Sequence, residues 1–150
     1  MYRSDLLRKG RVSLTNRFYS ITLVAHKREN IFISMDINRL IITEMKKIET
    51  QEAAKTIAFV IMPNHIHWLI QLGNKKTLSD VIKLFKGRCS KVTRDDLGMY
   101  KLWQRNYYDH MIKNENDLLN NARYIIANPL RAKIVDKIAS YPYWDCIYIK

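Results

Sequence analysis

Apolar positions along the chain change period several times, and the changes mark out elements. Over residues 17–26, Phe18, Ser20, Thr22 and Val24 alternate with Tyr19, Ile21, Leu23 and Ala25. Both sets are largely apolar, which suits a strand covered on both faces. From Asp36, a candidate helix N-cap, Ile37, Leu40, Ile41, Ile42, Met45 and Ile48 recur at helical spacing, with Arg39, Glu44, Lys46 and Lys47 mostly opposite. Residues 56–62 and 65–72 read as two strands joined by the Pro63-Asn64 turn, with Ile66, Trp68, Ile70 and Leu72 facing the core.

After a basic turn, Gly73-Asn74-Lys75-Lys76, either Thr77 or Ser79 caps a helix over about 79–93, with Leu78, Val81, Ile82, Leu84 and Phe85 on its apolar side. Residues 102–112 read as a fourth strand. Asn114 or Asn116 then caps a helix running to about Asn128, where Pro129 interferes with continuation. On this last helix Leu118, Ala122, Ile125 and Ile126 share an apolar arc, while Asp117, Asn121, Tyr124 and Asn128 share another. The order strand, helix, strand, strand, helix, strand predicts an α+β fold. It is the ferredoxin-like split β-α-β arrangement, an antiparallel sheet with two helices on one face, followed by a third helix. No repeat or linker interrupts it. The expectation is one domain over 1–150, with a basic arm at 1–16 and an aromatic tail at 136–150.

Charge changes the picture more than composition does. With 26 basic and 14 acidic residues the formal charge is +12, which implies a polyanionic partner: nucleic acid first, an anionic membrane surface second. No apolar run reaches the ~18 residues of a membrane span. The N-terminus lacks the apolar stretch of a secretory signal. Cys89 and Cys146 lie too far apart for a metal or redox motif, so a reducing cytoplasm is the expected compartment. Candidate phosphate contacts are Arg3 and Arg11 in the arm, Lys27 and Arg28 at the end of the first strand, Lys83, Lys86, Arg88 and Lys91 on the second helix, and Arg105 and Arg131.

Two sites carry candidate chemistry. His65 and His67 alternate along one strand and therefore share a face. The pair reads either as a divalent-cation site or as two half-exposed imidazoles on an antiparallel strand. Tyr124 lies off the apolar arc of the last helix. It reads either as an amphipathic residue at the helix edge or as a phenolic nucleophile, which needs help to attack a phosphodiester because tyrosine ionises near pH 10. Asn128, one turn on, could add an amide oxygen to a cation held by the imidazoles.

Met62-Pro63-Asn64-His65-Ile66-His67, followed by Tyr124-Ile125-Ile126-Ala127-Asn128-Pro129-Leu130-Arg131-Ala132, resembles the single-tyrosine HUH transposases of the IS200-like group, and more closely their REP-associated tyrosine transposase relatives. Trp103-Gln104-Arg105 and Tyr108-Asp109-His110 look like that group as well. The resemblance implies that His65 and His67, with Asn128 as third ligand, bind Mg²⁺ or Mn²⁺. It further implies that Tyr124 attacks single-stranded DNA, keeps the 5′ phosphate as a phosphotyrosine and releases a 3′ hydroxyl. The implied substrate is a hairpin of an imperfect palindrome with a short flanking sequence, and the implied assembly is a monomer or a homodimer. Two other readings stand beside it: a non-catalytic single-stranded nucleic-acid-binding protein on the same fold, and a metal-dependent phosphodiesterase using activated water.

Overall fold

The computed structural model describes residues 17–149. Five antiparallel strands form one sheet: β1 (Phe18–Ala25), β2 (Ala54–Met62), β3 (His65–Leu72), β4 (Trp103–Met111) and β5 (Trp144–Cys146), in the order β4-β1-β3-β2-β5. The first four have the order expected of a split β-α-β fold.

Helices α1 (Met35–Thr50) and α2 (Leu78–Leu97) cover one face. Ile37, Ile41, Met45 and Ile48 of α1 and Val81, Ile82 and Phe85 of α2 pack with Ile21, Leu23, Ile66, Trp68 and Ile70. Helix α3 (Glu115–Ile126) crosses the other face, where Leu118, Ala122, Ile125 and Ile126 meet Val60, Met62 and Leu69. The apolar arc predicted for this helix is the one that is buried. Cys89 and Cys146 are free and belong to different core clusters.

Three local expectations need correction. The N-cap of α1 is Ser34, whose hydroxyl accepts from Ile37 N at 3.3 Å; Asp36 lies inside the first turn. The entry is set by distant contacts, because Phe32 N donates to Pro63 O and the Asn38 amide donates to Phe32 O, both at 2.9 Å. At the second helix, Thr77 is the cap, one of the two expected, but the helix runs past the expected end near 93 to Leu97 before Gly98, at φ 69°, closes it. A left-handed residue after the last turn is the usual solution, and glycine adopts it without a Cβ clash. The aromatic tail adds a strand: β5 pairs with β2 from Ala58 to Val60, and the Tyr141 hydroxyl donates to Ile61 O.

The two-residue turn between β2 and β3 is held from outside. Neither Pro63 nor Asn64 has a positive φ, so the turn lacks the primed geometry that matches strand twist. Its carbonyls accept from elsewhere, Asn64 O from Ala25 N at 3.0 Å and Pro63 O from Phe32 N.

Two glycines separate space from helix propensity. A Cβ at Gly73 would stand 2.5 Å from Glu52 O and 3.1 Å from Ala53 O, both backbone atoms. Gly73→Ala is therefore expected to destabilise by about 1–3 kcal/mol, the range for forced overpacking. Gly87, within α2, has nothing within 4 Å of its would-be Cβ, so Gly87→Ala should stabilise by about 1 kcal/mol. Urea melts of both variants check the opposite signs.

Candidate active site

The α3-covered face of β3 builds the site. His65 and His67 point to the side of the sheet that carries α3, while Ile66 and Trp68 point into the opposite core. Their rings stand edge to face with centroids 4.8 Å apart. Each is oriented through Nδ1. The Asn64 Oδ1 lies 2.7 Å from His65 Nδ1, and the Thr22 hydroxyl lies 3.1 Å from His67 Nδ1. An amide oxygen can only accept, so His65 carries its proton on Nδ1 and leaves the Nε2 lone pair for a ligand. His67 adopts the same form when Thr22 accepts. Thr22 is the cross-strand partner of His67 on β1.

Both imidazoles are held neutral. Burial lowers the pKa of His65, and the nearby Arg28 charge adds to this. Burial pushes His67 down to about 3, helped by the charges of His65 and Arg131. Neutral imidazole is the metal-binding form. The consequence for stability has a definite sign. Above pH 6.5 neither folded nor unfolded His67 is protonated. Below that, the unfolded chain takes a proton that the folded chain refuses until about pH 3. Stability is therefore full above the unfolded pKa and falls as pH drops, with a limiting slope of about 1.4 kcal/mol per pH unit for one imidazole. Urea melts from pH 7.5 to 5 should show this acid limb, and His67→Gln should flatten it; an unchanged slope would assign the limb to other groups.

Tyr124 lies beside this pair. It is 56% exposed, off the buried arc of α3. Its ring centroid stands 6.1 Å from that of His67, at 79°. The guanidinium carbon of Arg131 lies 3.6 Å from the centre of the Tyr124 ring. Helix α3 stops at Ile126, and a short helix α4 (Asn128–Arg131) follows a tightened turn at Ala127, with Pro129 in its first turn. Asn128 thus opens α4, half-buried, rather than ending the long helix.

Among the other candidate residues, Arg28 stands at the histidine end of the sheet, next to Lys27, and both have φ 53°. Arg105 is exposed on edge strand β4. Lys83, Lys86, Arg88 and Lys91 ride on α2, across the sheet from the histidines. Lys86 donates to Gln104 O and Arg105 O, Arg88 to the Gln51 side chain, and Lys91 pairs with Asp95. Arg3 and Arg11 lie outside the described residues. Sequence reasoning missed Thr22 and Asn64 as supports of the imidazoles. Asn64 directly precedes His65 and was legible as a candidate; Thr22 needs the β1–β3 register.

The residues present fit a divalent cation. Two imidazoles bonded to one ion at ~2.1 Å have ring centres about 4.5–5 Å apart, which matches the spacing here. Among the described residues no three His, Cys, Asp or Glu side chains gather as a ligand set, so amide and substrate oxygens would complete the sphere.

The family described as Transposase IS200 like matches residues 13–128, which span both histidines, Tyr124 and Asn128. The chain belongs to the IS200-like transposase family. It is 26% identical over 153 residues to a putative REP-associated tyrosine transposase of Haemophilus influenzae, covering 95% of this chain and 82% of that protein. It is 24% identical over 102 residues to a REP-associated tyrosine transposase of Escherichia coli K12, covering 65% and 57%. The chain spans between 52% and 82% of the length of the relatives it matches. The solved structure of a REP-associated tyrosine transposase bound to a REP hairpin superposes with a TM-score of 0.75 at 18% identity, covering 89% of this chain and 79% of that one. This transposase-family chain therefore shares that α+β fold. Among the described residues no helix is long and apolar enough to cross a membrane.

Proposed function

We propose that the chain cuts and rejoins single-stranded DNA through a covalent tyrosine intermediate. The observation that carries this reading is the Tyr124 ring beside His67 within one chain. The Tyr124 oxygen attacks the scissile phosphorus as the phenol loses its proton to solvent. The bond from phosphorus to the 3′ oxygen breaks, and that oxygen leaves as a hydroxyl after taking a proton. The 5′ phosphate stays on Tyr124. Rejoining reverses these changes with a 3′ hydroxyl as nucleophile. One ester replaces another at each stage, so no nucleotide cofactor is needed.

His65 and His67 would hold Mg²⁺ or Mn²⁺ through Nε2, with Asn128 as an amide donor, and the cation would neutralise charge on the phosphate oxygens. Thr22 and Asn64 keep the imidazoles aimed, as outer hydrogen bonds do for metal-ligating histidines. Arg28 stands near His65 and favours a phosphate there. Nucleophile and imidazoles in one chain support cleavage in cis, which a monomer can perform. A DNA hairpin with a single-stranded flank is the substrate class favoured, because a relative of the same fold binds a REP hairpin. The test is a labelled hairpin incubated with protein and Mn²⁺. A covalent protein–DNA band that survives denaturation is expected; its absence across a panel of hairpins would overturn the reading.

A further inference from the structure

We infer that Arg131 is a positioning residue for the tyrosine nucleophile, holding the Tyr124 ring against His67 through the flat face of its guanidinium. This rests on the function proposed above and goes beyond it, since that reading gives Arg131 no part in placing Tyr124.

An exposed tyrosine on a helix surface has more than one open rotamer. Tyr124 is 56% exposed, yet its ring is contacted on two sides. His67 lies 6.1 Å away at 79°. The Arg131 guanidinium carbon lies over the ring face at 3.6 Å, well inside the range of a cation–π contact. A planar guanidinium can stack by its face while its N–H edge stays available, which an ammonium cannot do.

The backbone carries Arg131 to this contact. Side chains on a helix lean toward its N-terminus, so Arg131 reaches back onto Tyr124 across the break at Ala127. Behind Arg131 the short helix is closed twice, by Lys133 N to Leu130 O and Ile134 N to Pro129 O, both at 3.0 Å. That closure places Lys133 at φ 60°, a left-handed conformation costly for a residue with a Cβ. Such strain persists only where the surroundings determine it. The mount of Arg131 is thus rigid, although its side chain is exposed.

The test separates positioning from phosphate binding. Wild type, Arg131→Ala and Arg131→Lys are compared for hairpin affinity, for the salt dependence of that affinity, and for the single-turnover rate of adduct formation at saturating DNA and Mn²⁺. Positioning predicts a rate lowered ~10–100-fold in both variants, with affinity within about 3-fold and the salt slope unchanged, and no rescue by lysine. A saturated rate equal to wild type, with weaker binding and a slope smaller by about 0.7, would make Arg131 a phosphate contact and overturn the inference. Full rescue by lysine would overturn it too. A second readout is independent of activity: the Arg131 δ-methylene protons should be ring-current shifted in the NMR spectrum and lose that shift in Tyr124→Leu. Unshifted protons in wild type would overturn the inference even where the adduct forms. Absence of any wild-type adduct, with the shift present, would bring down the proposed function and this role together.

Discussion

Replacing Tyr124 with phenylalanine should abolish the covalent protein–DNA band while leaving folding and hairpin binding intact. The expected fall in adduct formation is at least ~10³-fold, the scale seen when an enzyme loses its nucleophile. The substitution removes one oxygen and nothing else. Phenylalanine keeps the ring that lies against His67 and under Arg131. The side chain is 56% exposed and no hydrogen bond to its hydroxyl is present among the described contacts, so stability should change by less than about 0.5 kcal/mol. The measurement is denaturing electrophoresis of labelled hairpin after incubation with Mn²⁺, beside an anisotropy titration of binding. A band of equal intensity in the variant would assign the nucleophile elsewhere. Free cleaved ends without any protein-linked intermediate, in wild type, would favour activated water instead.

Much of the scaffold beneath this site was legible because its signals are local. The alternation around His65 and His67 put Ile66 and Trp68 in one core and both imidazoles on the other face. The 3.6-residue period of α3 put Tyr124 off the buried arc. Neither inference needs a partner element. What was hidden depends on register or on distant contacts. The helix start at Ser34 rather than Asp36 follows from Phe32 being tied to Pro63, thirty-one residues away. Strand β5 has three residues, too few for alternation to declare itself, and it exists because β2 offers an edge. Charge on a helix does not reveal which face of the sheet the helix covers, so the position of cationic α2 across from the histidines depends on the fold. Arg131 could be read as a charge but not as a stacking partner, since the contact depends on the break at Ala127.

Replacing His67 with glutamine, or withholding divalent cation with a chelator, should cost the adduct rate ~10²–10⁴-fold, the several kcal/mol a metal supplies at a phosphoryl centre, with hairpin binding weakened only by the factor that couples it to the cation. In the proposed site each imidazole would be half of the nitrogen set, and among the described residues no three His, Cys, Asp or Glu side chains gather as a ligand set. Loss of one leaves a single nitrogen, too little to hold an ion. The surroundings sharpen this prediction. Arg28 and Arg131 are close enough to disfavour a proton on the imidazoles, and a dication arriving at the same nitrogens meets the same repulsion. A DNA phosphate reverses that balance by neutralising Arg28 and offering oxygen donors. Calorimetric titration with Mn²⁺ should therefore show weak binding to the free protein and tighter binding to its hairpin complex. By linkage, Mn²⁺ should tighten hairpin binding by the same factor. Equal Mn²⁺ affinity with and without DNA would remove Arg28 from this account. An adduct rate indifferent to chelator and to His67→Gln would remove the cation from the proposed reaction.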